Sequence, residues 1–388
     1  MRKTWIRAAA ALAFLGATAA QAGWEEGMAA YKARNYAQAV AEFEGVVAAR
    51  QDWSGGYLML GQSLMMLDRN AQAVDVLRRA YDQWPSDADV QLTLAQAYVQ
   101  ADRHSDAAQL LGKVNQAALA KDKQAKFSRL YGEALGRSGQ GQRALAELEK
   151  AAKASPGDGA LQYQYGVAAL NANETGNAVA ALERAVAAMP RDAAKRKVLV
   201  QALIRQARET PGGSKDAIYG KAVGHANALV GLDPSYDHLM LLGEAQLGGN
   251  QYDGAVATFG QASAKNSSDW LPLFYAGQAH TAKGSLDQAI TVLQQALGKN
   301  PPPERRNMVL KQMGFVYEKQ KNYTAARDVY QRAGDSAAIT RVTENETISK
   351  HNKQADDEAA KAAQLKAEAD KLRQELAGKG KPTPPPQP

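Results

Sequence analysis

A fixed spacing of small residues constrains this chain more than any other feature of its sequence. Glycine or alanine recurs at intervals of 34 or 37 residues, with one longer gap of 77 residues. The positions are Gly27, Gly61, Ala95, Gly132, Gly166, Gly243, Gly277 and Gly314. A regular period of this length indicates a repeated supersecondary unit, so we expect a stack of similar units instead of two or three ordinary domains.

Three further positions keep the same register after each of these small residues. Alanine lies twelve residues later: Ala39, Ala73, Ala107, Ala144, Ala178, Ala255, Ala289 and Ala326. A large apolar residue lies sixteen residues later: Phe43, Leu77, Leu111, Leu148, Leu182, Phe259, Leu293 and Tyr330. Valine or alanine lies nineteen residues later: Val46, Ala80, Val114, Ala151, Ala185, Ala262, Ala296 and Ala333. The spacing predicts two helices packed against each other in every unit.

Each unit is therefore interpreted as a helical hairpin. The first helix carries the small residue, a polar turn such as Asp68-Arg69-Asn70 follows, and the second helix carries the alanine and the large residue. Small residues let two helix axes approach at their crossing, and we expect the large residue to fill the space toward the next hairpin. Proline cannot continue a helix and closes several units, at Pro85, Pro156, Pro190 and Pro301.

This pattern resembles the tetratricopeptide repeat family, whose second helices often carry an aromatic residue at the positions of Tyr36, Tyr252 and Tyr323. The resemblance implies an all-α fold, a right-handed superhelical solenoid of about nine hairpins over residues 23–334. It says almost nothing about function. The sixth unit departs from the pattern, since Val200 replaces the glycine and ten extra residues lie near 205–219. That insert is either a tolerated loop or a binding site.

Residues 1–22 have the organisation of a secretory signal peptide. Three basic residues precede an apolar run from Ala8 to Ala20, and Ala20-Gln21-Ala22 has the small-x-small form of a cleavage site. The run is shorter than the ~20 residues of a bilayer span, which argues against a retained anchor. We therefore expect a periplasmic or secreted chain with no integral membrane span after cleavage. With no cysteine in the sequence, it is not expected to be a lipoprotein.

The C-terminal part of the chain differs from the repeats. Residues 335–377 contain no proline or glycine and predict a capping and charged extended helix, whose Ile339 and Val342 should cover the last hairpin. Leu365, Leu372 and Leu376, with alanines between them, form a short coiled-coil seam. Weak self-association through this helix is thus an alternative to a solvated single helix. The proline-rich residues 378–388 predict disorder.

The sequence shows no pattern of catalytic or cofactor-binding residues. The five histidines have no partner at metal-ligand spacing. Residues 136–141 are glycine-rich but lack the strand and the Lys-Ser/Thr pair of a phosphate loop, so we interpret them as the fourth hairpin's turn. We predict no enzyme activity, no metal and no cofactor. Subtracting the three basic residues of 1–22 from the formal net charge of +7 leaves +4, which does not indicate nucleic acid binding.

Binding is the remaining class of function, and the family resemblance places the binding surface in a concave groove lined by the first helices. The candidate groove residues lie three before, and one, four and five after, each small residue. The N-terminal set is apolar and suits a partner helix or extended peptide: Trp24, Met28, Tyr31, Leu58, Met65 and Met66. The middle set is basic: Arg129, Arg137, Lys197 and Arg205. Alternatively, these side chains simply pack between neighbouring repeats.

The sequence therefore predicts a non-enzymatic adaptor or scaffold of the bacterial cell envelope that binds a protein or peptide ligand in its groove. The envelope assignment follows from analogy with exported members of the family. Two other hypotheses remain open at this point. One is a periplasmic chaperone that holds unfolded clients, and the other is a regulator that docks on a cell-wall enzyme.

Overall fold

The computed structural model describes residues 21–380. Residues 1–20, which hold nearly all of the predicted signal peptide, and residues 381–388, in the predicted disordered tail, lie outside the described residues. Over the described range the chain is helical apart from its turns and contains no strand. It forms two compact units, one ending at Leu232 and the other beginning at Asp233.

Six helical hairpins make up the first unit. Its helices are α1 (described over 21–32), α2 (Tyr36–Ala49), α3 (Ser54–Met65), α4 (Asn70–Gln83), α5 (Ala88–Gln100), α6 (His104–Leu111), α7 (Lys121–Arg137), α8 (Gly141–Ala154), α9 (Gly159–Asn171), α10 (Thr175–Ala188), α11 (Ala193–Glu209) and α12 (Ser214–Leu232). Each odd-numbered helix is the first helix of a hairpin. A short 3₁₀ helix, Gln116–Ala118, joins the third hairpin to the fourth.

Three hairpins and a long terminal helix make up the second unit. They are α13 (Tyr236–Gly248), α14 (Tyr252–Lys265), α15 (Leu271–Lys283), α16 (Leu286–Gly298), α17 (Pro303–Lys319), α18 (Tyr323–Arg332) and α19 (Ser336–Lys379). The second helix of each hairpin also packs on the first helix of the next one within the unit. The predicted all-α fold of consecutive hairpins with a C-terminal helix is confirmed.

The two helices of a hairpin meet through the small residue and the large residue sixteen positions later. A Cβ added to Gly61 would lie 2.6 Å from Leu77, and one added to Gly243 would lie 2.5 Å from Phe259. The same relation holds at Gly27, Gly132, Gly166, Gly277 and Gly314. The large side chain thus fills the crossing of its own hairpin. This differs from the sequence-based expectation that it fills the space toward the next one.

A left-handed residue occupies a fixed place in the hairpin turns. It lies seven residues after the small residue, at Arg34, Asp68, Asp102, Gly139, Asn173, Asn250, Gly284 and Lys321, with φ between +55° and +86°. This conformation lets the chain reverse within a few residues, and it favours glycine or asparagine. The residue type at this place varies, so the sequence pattern did not reveal it.

The sixth hairpin accommodates its insertion mainly in longer helices. Helix α11 extends to Glu209 and α12 begins at Ser214, which leaves only a short connection between them. Val200, at the small position, is fully buried. Ala226, which takes the large position once the ten extra residues are allowed for, is fully buried as well. In this hairpin the first helix therefore carries the larger residue of the pair, valine, and the second helix carries the smaller one, alanine, which is the reverse of the other hairpins.

Helix α19 caps the last hairpin with its first turns. Ala338 and Val342 are buried against Ala326 and Tyr330, and Ile339 is half-buried beside them. From residue 351 to 377 every side chain is exposed. The helix ends at Lys379 and so includes the first two residues of the predicted disordered tail, Gly378 and Lys379. A single glycine in the last turn of a helix costs only about 1 kcal/mol, which does not stop the helix at Ala377.

Candidate functional site

The first helices of neighbouring hairpins form a row in each unit. In the first unit α3 contacts α5, α5 contacts α7 and α7 contacts α9, and in the second unit α13 contacts α15 and α15 contacts α17. Side chains three or four residues apart share one face of a helix, so the row aligns equivalent positions of successive repeats. Four of the predicted groove residues, Leu58, Met65, Arg129 and Arg137, belong to the row of the first unit.

The predicted apolar anchors at the N-terminal end mostly pack within the fold. Trp24 contacts the rings of Phe43 and Trp53, with centroid separations of 5.5 Å and 4.5 Å. Met28, Tyr31 and Leu58 are likewise half-buried against the core of the first unit. Packing between repeats, the alternative considered from the sequence, therefore accounts for much of their burial.

Met65 is not available as an anchor, which corrects the sequence-based assignment. It is only 5% exposed and lies in the core, whereas the adjacent Met66 is 51% exposed. The reason is helical geometry, since Met65 lies four residues after Gly61 and shares the face that Gly61 turns toward the second helix. Met66 is rotated away from that face and stays on the surface.

A cleft of about 470 Å³ opens on the row between α5, α7 and the start of α9. We call it the Lys126 cleft. Its polar lining consists of Gln96, Gln100, Lys126, Arg129, Glu133 and Gln164, and its apolar lining of Val99, Leu130 and Ala160. The site therefore combines two basic groups with three side-chain amides that donate and accept hydrogen bonds.

A larger cleft of about 770 Å³ lies beside it, between α7, α8, α9 and the start of α11. We call it the Tyr163 cleft. Its apolar lining includes Gly132, Gly136, Ala144, Leu148, Val167 and Ala168. Its polar lining includes Glu133, Arg137, Tyr163, Gln164, Asn171 and Lys195. The two clefts share Glu133, Ala160 and Gln164 and together form what we call the central groove.

The Lys126 cleft carries positive charge that the fold compensates only partly. Arg129 lies 3.6 Å from Asp158, which is also the N-terminal cap of α9. Burial of Lys126 lowers the pKa of its ammonium below the ordinary lysine value; Asp89 opposes this shift, and Arg129 and Lys123 add to it. Within residues 21–380, Lys126 forms no ion pair.

The Tyr163 cleft carries two cations in different situations. Lys195 pairs with Asp192 and lies 5.2 Å from the ring centroid of Tyr163, which makes a cation–π contact. Arg137 is exposed at the end of α7 and forms no ion pair in the described part of the chain. Among the groove cations, Arg137 and Lys126 are thus the two without an ion pair in residues 21–380.

The other two predicted basic residues lie on α11, and one of them is used by the fold. Arg205 donates to the carboxylate of Glu209 at 2.8 Å, to the side chain of Asn173 at 2.7 Å and to the carbonyl of Leu170 at 3.3 Å. It thereby fixes the turn of the fifth hairpin. Lys197 is half-buried and has interactions of its own, so we assign neither residue a free charge.

Family comparison agrees with this geometry. Models described as tetratricopeptide repeat match residues 64–126, 130–193 and 240–303. The chain belongs to the tetratricopeptide repeat family. No curated protein matches it.

Several solved structures are similar to parts of this chain at low sequence identity. A protein from Parabacteroides merdae is 12% identical, with 67% of this chain and 98% of that chain covered and a TM-score of 0.43. The structure described as Pseudomonas aeruginosa pilF is 15% identical, with coverages of 59% and 99% and a TM-score of 0.49. YrrB, described as a TPR protein with an unusual peptide-binding site, is 16% identical, with coverages of 53% and 97% and a TM-score of 0.40.

The predicted groove residues overlap only in part with the linings of the two clefts. Arg129 and Arg137 do line the clefts. The missed residues Lys126 and Ala160 lie six before the small residue of their repeats, and Leu130 and Gln164 lie two before it. The 37-residue interval from Ala95 to Gly132 is the sequence signal for a longer first helix, and α7 does begin early, at Lys121.

Among residues 21–380 no group of three or more His, Cys, Asp or Glu side chains is placed to hold a metal ion. No helix in that range has both the length and the apolar character of a bilayer span.

Proposed function

We propose that this tetratricopeptide repeat protein binds a segment of a partner protein in the central groove and acts without catalysis. Its repeats make it a protein–protein interaction scaffold. The observation that supports the groove as its binding surface is the pair of contiguous clefts along the row of first helices. Their linings hold the cations Lys126, Arg129, Arg137 and Lys195 but only one carboxylate, Glu133.

Crosslinking in cells tests this proposal. The wild-type chain is compared with Arg129→Glu/Arg137→Glu and with a control, Lys150→Glu/Arg184→Glu, whose residues are exposed on the second helices α8 and α10. We expect one partner to crosslink to the wild type and to the control, and to be lost with the groove variant while its helicity is unchanged. Capture that is equal for all three chains would show that the groove is not the binding surface.

The place of action is a second part of the proposal. We propose export to the cell envelope, supported by the basic start, apolar run and cleavage motif of residues 1–22. A fusion of these residues to alkaline phosphatase tests it, because that enzyme needs disulfides that form outside the cytoplasm. We expect activity from the fusion and none from a Leu12→Arg/Leu15→Arg version. Equal activity from both would contradict export by this segment.

The breadth of binding separates the scaffold from a holdase chaperone. A chaperone would crosslink to many unrelated unfolded chains, and this would depend on apolar surface. Trp24, Met28 and Tyr31 are half-buried and Met65 is buried, so the N-terminal set, which the sequence suggested for a partner helix or extended peptide, offers little apolar surface to unfolded clients. The charged central groove favours one specific partner.

A further inference from the structure

The two clefts of the central groove belong to one site. They share Glu133, Ala160 and Gln164, so a single occupant can reach both. Both linings are mostly apolar by exposed surface, and the clefts differ in charge and size. The Lys126 cleft contains an ammonium without an ion pair in residues 21–380, whereas the Tyr163 cleft is larger and includes an aromatic ring. A ligand that fills both therefore presents two different groups in neighbouring positions.

The group that suits the Lys126 cleft is a carboxylate. Lys126 has no ion pair in residues 21–380, and Arg129 is held 3.6 Å from Asp158 with part of its side chain exposed. Burial makes the half-buried ammonium unfavourable, Asp89 offsets this only in part, and an anion placed beside Lys126 removes the remaining cost. Glu133, two turns further along the same helix, disfavours a second acidic group because like charges repel.

The group that suits the Tyr163 cleft is a large apolar side chain. Gly136 leaves the exposed end of helix α7 without a side chain at the cleft, and the half-buried Val167 and Ala168 on α9 supply apolar contacts. The volume of about 770 Å³ exceeds that of any one side chain and leaves room for the adjoining backbone. Tyr163 adds an aromatic ring to the lining, and Lys195 already contacts one of its faces.

The backbone of an extended peptide also finds partners in this groove. Gln96 and Gln164 in the Lys126 cleft and Asn171 in the Tyr163 cleft supply amide groups that both donate and accept. Packed helix axes lie about 10 Å apart, which is the offset from one inter-helix cleft to the next. An extended chain covers that distance in about three residues at ~3.3 Å each.

We propose that the central groove recognises an extended peptide segment with one acidic side chain in the Lys126 cleft and one large apolar side chain in the Tyr163 cleft. The two side chains lie about two to four residues apart. This inference rests on the proposed function and specifies the ligand of the same groove.

Fluorescence anisotropy with defined peptides tests the inference on the full chain. The probes are labelled peptides of about ten residues in a Gly/Ser/Thr background, with one Asp and one Phe at separations of two, three or four residues, in both orders. Matched probes replace Asp by Asn or Phe by Ala. At the best separation we expect each replacement to weaken binding about tenfold.

Variants assign each preference to its cleft. We expect Lys126→Gln to remove the preference for Asp over Asn and to keep that for Phe over Ala. Gly136→Leu should do the reverse, since a Cβ there meets only Ala144 at 3.9 Å and the larger side chain extends into the cleft. Val167→Thr, which is nearly isosteric, gives a second measure of the apolar preference. Lys150→Gln, on the exposed face of α8, is the control and should leave both preferences intact.

Failure of the inference differs from failure of the proposed function. If no probe binds below about millimolar concentration, or if the variants leave both preferences unchanged, the two-cleft assignment is wrong. In that case the partner crosslink still depends on Arg129 and Arg137 if the proposed function holds. Loss of that dependence as well would overturn both.

Discussion

A Cβ added to Gly132 would lie 2.4 Å from Cγ and Cδ2 of Leu148, so the helices of the fourth hairpin touch with no room for a methyl group. We expect Gly132→Ala to lower stability by about 1–3 kcal/mol, because the strain of overpacking exceeds the gain of ~1 kcal/mol in helix propensity. Urea unfolding followed by circular dichroism measures the change. In a Leu148→Ala background, where the space is open, the same substitution should become neutral or stabilising.

Gly136 provides the matched control for that experiment. It lies one turn later on the same helix, and a Cβ there would meet only Ala144 at 3.9 Å. We expect Gly136→Ala to stabilise the chain by about 0.5–1 kcal/mol. Equal destabilisation by both alanines would mean that general helix context, and not contact with Leu148, determines the effect at Gly132.

The hairpin turns give the second prediction. Arg34 and Lys321 hold the left-handed conformation, with φ of +61° and +57°, at a place where Gly139 and Gly284 stand in other repeats. Residues other than glycine, asparagine and aspartate are strained in this conformation. We therefore expect Arg34→Gly and Lys321→Gly each to raise the free energy of unfolding by about 1 kcal/mol. Thermal unfolding measures this. Asn173→Gly, at an already tolerant residue, should change stability much less, and an equal gain there would argue against relief of strain.

Much of the fold was readable from the sequence because packing requirements repeat with the same period. The alanine twelve after each small residue is buried in all eight units, as is the large residue sixteen after it. The pattern did not predict which neighbour the side chain at each repeated position contacts. The large residue fills the crossing of its own hairpin, and the left-handed residue is defined by backbone conformation, which Arg34 and Gly139 both satisfy.

The titration of Lys126 gives the third prediction. Burial lowers its pKa from the ordinary 10.5, so as pH rises Lys126 loses its charge before an exposed lysine does. Affinity for an acidic peptide should therefore fall as the pH rises through that lowered pKa, while affinity for the asparagine peptide stays level. Anisotropy titrations from pH 7 to about pH 10 measure both.

Lys126→Arg is the matched control for the pH dependence. Its guanidinium stays protonated over the whole range, so the preference for the acidic peptide should persist at high pH. If the arginine variant loses affinity along the same curve as the wild type, another group controls the pH dependence. That result would remove Lys126 from the carboxylate site.

The candidate site was less predictable than the fold, since a repeat pattern does not state which side of a helix stays open. Met65 and Met66 are adjacent and chemically identical, yet one is in the core and the other on the surface. Arg205 carries the charge expected of a groove residue but uses it on Glu209 and Asn173. Such differences arise from neighbouring helices and their caps, which spacing alone does not fix.

The fourth prediction concerns the cap of the terminal helix. Asp335 accepts a hydrogen bond from the backbone of Ala338 at 3.0 Å and pairs with Lys311 at 2.9 Å. Lys311 first, and then the backbone bond, lowers the pKa of Asp335 below the ordinary aspartate value. A lowered folded-state pKa means that the stabilisation is present above the unfolded value of ~3.9 and is lost as pH falls through the folded pKa.

Substitutions at Asp335 separate the cap from the ion pair. Asp335→Ala should cost about 1 kcal/mol at pH 7 through loss of the cap, whereas Asp335→Asn keeps the cap and should cost only a few tenths, because Lys311 is half-exposed. Thermal unfolding from pH 7 toward pH 3 should show wild type and Asp335→Asn converging as the carboxylate is protonated. In a Lys311→Gln background, which removes the ion pair, Asp335→Asn should cost little at either pH; a gap that stays constant with pH in the wild-type background would mean that the Lys311 pair contributes nothing to stability.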